Sequence, residues 1–137
     1  MLRERPRPGL RPVLDPSGDP ATRALGGGRG ASTAIEASRQ TGIHTEYVEG
    51  DARHVEFPPE SFDAVIMMDL LEHLDPADGT ALLSKVERIA RRKVMVFTPN
   101  GFVRQHEYDC NPLQVHRSSW SVDSFRRRGY EIYGMEG

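Results

Sequence analysis

Hydrophobic residues gather in short blocks separated by polar or proline-bearing punctuation, and the densest block is Ala64-Val65-Ile66-Met67-Met68. Phe62-Asp63 leads into it and Asp69 ends it. A continuous apolar run of this length predicts a strand buried on both faces, as in a parallel sheet, although periodicity alone does not exclude a buried helix. Pro58-Pro59 upstream and Asp75-Pro76 downstream leave room for little besides a strand. Val94-Met95-Val96-Phe97 predicts a second buried strand, ending at the turn Thr98-Pro99-Asn100-Gly101. Ile43-His44-Thr45-Glu46-Tyr47-Val48 alternates instead, with β-branched and aromatic residues, and predicts a strand over 43–48.

Between the two buried strands the period changes to that of a helix. Asp75 is a strong cap, Pro76 suits the first helical position, and Asp78 places an acid in the first turn. Leu82, Leu83, Val86, Ile89 and Ala90 fall on one stripe, and Arg91, Arg92 and Lys93 close the helix with favourable charge. Ser121 caps a last helix, with Val122 and Phe125 inward, Arg126 to Arg128 at its end and Gly129 just beyond. Ile132-Tyr133 begins one more strand. Residues 102–118 form a long irregular segment, carrying Gln105, Tyr108, Asn111, Gln114 and His116 among groups able to contact a small organic molecule.

The first third of the chain is less regular. Val13-Leu14-Asp15 reads as the end of a first strand, and Pro16-Ser17-Gly18-Asp19-Pro20 as a turn. Leu25-Gly26-Gly27-Gly28-Arg29-Gly30 has glycines at the G-x-G-x-G spacing. The preceding residues 21–25 do not form a convincing strand, so a short helix over 20–25 followed by a flexible loop accounts for this stretch as well. Residues 32–38 read as a strand ending near Glu36, or 31–40 as one helix. Residues 1–11, with arginines at 3, 5, 7 and 11 and prolines at 6 and 8, read as a disordered basic arm.

Composition narrows the classes. A chain of 137 residues is one domain by length. Its net charge of -2, from 18 basic and 20 acidic residues, gives no bulk attraction to nucleic acid or membrane. Mean hydropathy of -0.55 is low for an α/β domain and points to irregular segments. The single cysteine, Cys110, cannot form an internal disulfide and suits a cytoplasmic location. No apolar run approaches membrane-spanning length.

Three motifs then fall in an informative order: Gly50-Asp51-Ala52, Phe62-Asp63-Ala64-Val65 and Leu71-Glu72-His73-Leu74. Together they resemble the class I S-adenosylmethionine-dependent methyltransferases, closest to the small-molecule branch labelled methyltransferase type 11. The resemblance covers residues 43–137 well and 13–42 poorly. It implies an α/β, Rossmann-like domain over 12–137, a mostly parallel sheet with flanking helices. Residues 13–42 are too few for the two strands and two helices that the full fold places there. Relatives also continue with a further strand, so the resemblance implies a truncated or internally shortened version of the fold.

The resemblance also implies S-adenosyl-L-methionine as cofactor and a small-molecule methyl acceptor. Relatives place an acid and a glycine turn after strand one, which Asp15 and Gly18 match in part. Gly26, Gly28 and Gly30 are the alternative turn. Glu36 matches the acid that accepts the ribose hydroxyls. Asp51 matches the acceptor of the adenine amino group, with the Ala52 amide facing the ring. Asp69 stands at the carboxyl end of a strand, where such sheets bind ligands. His73 is a candidate general base, since histidine exchanges protons near neutral pH. Each residue also has a plainer reading: Asp51 as a cap, Glu36 as a solvated carboxylate, His73 as a positioning group.

Some quinone-type relatives bind a divalent metal through an acid-x-x-Glu-His run, and Asp69, Glu72 and His73 have that spacing. Leu-Glu-His-Leu also occurs in relatives without metal, so no metal ligand is expected. Two rival functions stay open. One is a non-catalytic remnant or cofactor-binding protein. The other is an NAD(P)-dependent oxidoreductase, because Gly26, Gly28 and Ala31 satisfy G-x-G-x-x-A, a pattern that should follow a strand. Oligomeric state and acceptor are not legible.

Overall fold

Arg23–Gly26 (β2) lies parallel to Glu46–Glu49 (β3), with the helix Ala31–Thr41 (α1) crossing between them. This βαβ unit belongs to the first of two compact units, Gly9–Glu56. The chain is described here from a computed structural model at residues 2–4, 23–26, 31–101, 103–104 and 115–134, with side chains from Ile35 onward. The strand expected at 13–15, together with Asp15, Gly18, Gly28, Gly30 and residues 105–114, lies outside the described residues.

Three expectations change in this unit. Residues 23–26 are a strand, so the short helix over 20–25 is not formed. Residues 31–41 are one helix, which removes the strand over 32–38. The strand expected over 43–48 is shorter and later, at Glu46–Glu49. Its first residues are used otherwise: Gly42 takes φ +64, a conformation suited to a helix C-terminus. The His44 amide then meets the Tyr47 hydroxyl at 3.3 Å, and that hydroxyl donates to the Ser38 carbonyl at 2.7 Å.

The second unit comprises Met1–Pro8 and Phe57–Gly137. Phe62–Met68 (β4) and Ala90–Phe97 (β5) are parallel neighbours, and Leu2–Glu4 (β1) pairs antiparallel with the far side of β5. Residues 2–4 of the expected disordered arm therefore form an edge strand. A register shift between Phe62 and Ala64 lets Asp63 meet Arg91, with Arg91 Nη2 2.9 Å from Asp63 Oδ1. Arg91 is buried, and among the described residues its Nε and Nη2 have no well-aligned hydrogen-bond acceptor.

Pro76–Ile89 (α2) connects the two parallel strands. Pro76 stands at its first turn, as the sequence indicates; Asp75 occupies the cap position, but its side chain makes no capping hydrogen bond. Leu82, Leu83, Val86 and Ile89 are buried along one stripe, over Val94 and Val96 of β5 and Met67 of β4. Ala90 follows Ile89 with no linker: its ψ of 124 is already extended. Arg91, Arg92 and Lys93 consequently belong to β5 and do not close the helix. The local reason is the rhythm of the apolar residues, which changes from helical spacing at Ile89 to alternation at Val94 and Val96.

The run 64–68 is buried on one face only. Met67 is 5 % exposed, whereas Ile66 is 54 % and Met68 65 % exposed. A sheet with helices on both faces hides such a run completely. Here α2 covers one side of β4, and Ala64, Ile66 and Met68 point to the other.

Val122–Arg127 (α3) completes the unit. The Ser121 hydroxyl accepts from the Ser124 amide at 3.2 Å, and Gly129 takes φ +83 just past the helix, both as expected from the sequence. Phe125 is fully buried between the rings of Trp120 and Tyr130, at centroid distances of 5.8 and 5.4 Å. The strand expected to start at Ile132 is absent: residues 132–134 carry no regular structure, and Tyr133 is exposed.

Candidate functional site

In the unit Gly9–Glu56, Gly26 stands at the carboxyl end of β2, and Asp51 and Ala52 follow the carboxyl end of β3. Gly26 is the last residue of β2 and α1 begins at Ala31, so residues 26–30 connect a strand to a helix. That context is the one a ligand-cradling glycine turn requires. It escapes a reading of residues 21–25 because Arg23-Ala24-Leu25-Gly26 is short and holds no β-branched residue. The retrievable signal was in β3, whose alternation demands a strand partner.

Register places Gly26 opposite Glu49. The chain leaves β3 through Gly50 into Asp51, and Ala52 follows in a tight turn whose His54 and Val55 amides donate to the Asp51 carbonyl at 2.9 and 3.0 Å. Glu36, expected at a strand end, sits exposed in the middle of α1. The correction follows from helix formation over 31–41, which carries Glu36 away from any strand terminus.

The Asp51 carboxylate is held by Arg53. Oδ1 accepts from the Arg53 amide at 2.9 Å and from Nε at 3.0 Å, while Oδ2 accepts from Nε at 3.0 Å and Nη2 at 2.6 Å. The Arg53 side-chain bonds are the main cause that holds the Asp51 carboxyl at about 2, below its ordinary 3.8; burial opposes them as the next-largest influence, and the Arg53 amide adds to the lowering. His54 adds a further positive neighbour at 3.5 Å when protonated.

In the unit formed by Met1–Pro8 and Phe57–Gly137, candidate groups sit just beyond β4. Asp69 follows the strand at φ +46, in the left-handed region that costs a residue with a side chain some strain. Its amide donates to the Phe97 carbonyl at 3.1 Å, keeping it against the end of β5. Leu71–His73 then forms a single 3-10 turn.

Residues 117–120 hold this turn in place. The Leu71 carbonyl accepts from the Ser118 hydroxyl at 2.9 Å and the Trp120 indole N–H at 3.2 Å. The Glu72 carbonyl accepts from the amides of Arg117 and Ser118 at 2.7 and 3.1 Å. Glu72 is 3 % exposed, and its Oε2 accepts from the Thr98 hydroxyl at 2.9 Å. Half-buried His73 turns its Nδ1 to the Val115 carbonyl at 3.3 Å and its ring edge to His116 at a centroid distance of 4.9 Å.

The acid-x-x-Glu-His grouping is therefore altered. Glu72, His73 and His116 present ligand atoms within 4.8 Å of one another, and Asp69 is not among them. His116 joins from a segment more than forty positions along the chain, so local spacing gave no sign of it.

Among the described residues, no helix is long and apolar enough to cross a membrane. No curated protein matches the chain. The family described as "Methyltransferase domain" matches residues 26–98, just over half of the sequence. That match starts at the last residue of β2 and ends just past β5, so it takes in the glycine run 26–30, the Gly50-Asp51-Ala52 exit of β3 and the turn beyond β4. It leaves Asp15 and Gly18 outside. With β2 in place, the G-x-G-x-x-A pattern does follow a strand, and it is the family match that separates methyl transfer from the dinucleotide reading. The chain belongs to the methyltransferase domain family, and its fold is a small, incomplete Rossmann-like domain of the class I S-adenosylmethionine-dependent type.

Proposed function

We propose that this chain transfers a methyl group from S-adenosyl-L-methionine to a small-molecule acceptor in the cytoplasm. The observation that carries the reading is the succession of strand, glycine run and helix at 23–41, of which residues 26–41 lie within the matched segment. Residues 26–30 are favoured over Asp15 and Gly18 as the cofactor turn on the same ground. The donor set suits the cofactor. Glycines ahead of an 11-residue helix let backbone amides approach a carboxylate, and Asp51 offers acceptor oxygens to an amino group.

When bound, the cofactor supplies an electrophilic sulfonium methyl. The work left to the protein is alignment and exclusion of water, which explains why few side chains need chemistry of their own. His73 is the group offered for proton removal from the acceptor. The Val115 carbonyl can only accept, so the hydrogen sits on Nδ1 and Nε2 is the basic atom.

Asp51 already receives four bonds from Arg53, close to the capacity of a carboxylate. An adenine amino group must therefore share Asp51 with Arg53 or displace it. Calorimetric titration with S-adenosylhomocysteine tests the reading. Saturable binding by the parent, weakened by about 1.5–3 kcal/mol in Asp51→Ala and kept or tightened in Arg53→Ala, is expected. No binding by the parent at millimolar ligand would sink the assignment, and equal binding by Asp51→Ala would reduce Asp51 to a turn former.

Direct pairing of β2 with β3 favours a second reading, a cofactor-binding protein without turnover. No strand stands between them to bring a ribose-binding carboxylate beside the glycine run, and Glu36 does not replace it. Tight cofactor binding with no methyl transfer to any acceptor would select this reading.

A further inference from the structure

We propose that Glu72, His73 and His116 form a binding site for a divalent transition-metal cation of the zinc class. Two imidazoles and one carboxylate are a common donor set for such ions, and three protein ligands leave positions open for water or an anionic oxygen. The proposal needs no bound S-adenosylmethionine and concerns a different ligand, but it shares His73 with the methyl-transfer reading: an Nε2 that holds the metal is not also the base.

Geometry is the first support. Ligand atoms of the three side chains lie within 4.8 Å of one another. Ligands of a tetrahedral zinc ion stand roughly 3.3 Å apart, a distance that small side-chain rotations reach from here.

The surroundings are the second support. Backbone carbonyls fix both histidines: Val115 O faces His73 Nδ1 at 3.3 Å, and Val103 O faces His116 Nδ1 at 2.6 Å. Since a carbonyl only accepts, each Nδ1 carries the hydrogen and each Nε2 keeps its lone pair for a metal. Metal-bound histidines are ordinarily oriented in this way, and a hydroxyl on the ligating carboxylate, here Thr98 on Glu72, is the matching feature for the acid. The Arg117 amide on the Glu72 carbonyl anchors the residue beside His116 directly to the acid.

The third support is an uncompensated charge. Glu72 is 3 % exposed, yet among the described residues no Lys or Arg pairs with it, and its side chain receives one hydroxyl hydrogen bond. A carboxylate withdrawn from water on such terms is costly, and a cation between it and two imidazoles would offset that cost. The ring-edge contact of His73 with His116 brings the two imidazoles together beside it.

The test uses the untagged full-length chain, freed of metal by chelation. Calorimetric titration with Zn²⁺ is expected to give one site per chain, and Co²⁺ to give the visible absorption of an ion in a low-coordinate nitrogen and oxygen field. His116→Ala should weaken Zn²⁺ binding about tenfold or more, and Thr98→Val should weaken it roughly 10-fold through the acid it orients. Asp69→Asn should bind like the parent, which separates this triad from the acid-x-x-Glu-His set. Should Glu72→Gln not fold, His116→Ala carries the test alone, because His116 lies on the rim of the cluster and is only half-buried. Absence of Zn²⁺ binding in the parent, parent-like binding in His116→Ala, or loss of binding in Asp69→Asn would each overturn the proposal.

Discussion

Asp51 and Gly79 illustrate how single residues are constrained by their neighbours. Because Arg53 lowers the Asp51 carboxyl from 3.8 to about 2, the associated stabilisation is complete above pH 3.8 and disappears as the pH falls through about 2. The pair is 42 % and 39 % exposed, so water screens it and its worth stays below about 1 kcal/mol. In a titration followed by NMR, Arg53→Ala is expected to return Asp51 toward 3.8; an unmoved midpoint would assign the shift to another group. Gly79 is different in kind. It is buried in α2, and a Cβ there would overlap the Trp120 indole ring. Alanine ordinarily stabilises a helix by about 1 kcal/mol over glycine. Here Gly79→Ala is expected to destabilise by about 1–3 kcal/mol through that overlap. A thermal midpoint equal to the parent's would mean that the indole ring can move aside freely.

At the scale of elements, α3 is the most dependent on its surroundings. Six residues cannot sustain a helix alone, and this one stands on the burial of Phe125 between Trp120 and Tyr130. Arg128 ties its end to α2 with bonds of 3.1 and 3.2 Å to the Glu87 carboxylate, and the Tyr130 hydroxyl adds another at 3.2 Å. Phe125→Ala is expected to cost about 3–5 kcal/mol in chemical denaturation. A loss under about 1 kcal/mol would show that the aromatic group is not what holds α3. Elements whose local signals agree were legible in advance. Asp75-Pro76 with the stripe from Leu82 to Ile89 marked α2, Ser121 and Gly129 marked α3, and the apolar runs marked β4 and β5. Elements defined by a distant partner were not legible. Residues 2–4 and 23–26 become strands only through pairing with β5 and β3. The candidate site divides in the same way. Glu72 and His73 stood out as neighbours in sequence, whereas His116 is recruited by backbone bonds from residues 117 and 118 to Glu72.

At the scale of the whole molecule, the described residues form two small sheets, one in each unit, and α2 covers one face of the β1-β5-β4 sheet. Ile66 at 54 %, Met68 at 65 % and Phe97 at 37 % exposure form an apolar strip on the open face, with Met68 opposite Phe97 in register. Contiguous apolar surface of this kind is uncommon on a monomer and binds hydrophobic dyes. The double substitution Ile66→Thr with Met68→Gln is expected to lower dye fluorescence while leaving stability within about 0.5 kcal/mol, as for other exposed positions. A loss of several kcal/mol would mean that the strip is packed against something after all.

The direct passage from Ile89 into Ala90 makes chain length itself a constraint. Helix and strand are joined like two gears on one shaft: the rotation at which α2 ends fixes which β5 side chains face it. Adding one residue at this joint would turn the strand over, bringing Lys93 and Met95 beneath α2 and sending Val94 and Val96 to the open side. Adding two would restore the phase and lengthen the joint only. An insertion scan at this joint should therefore give a tolerance that alternates with parity, and equal stability for one and two added residues would show that the phase is not what fixes the strand.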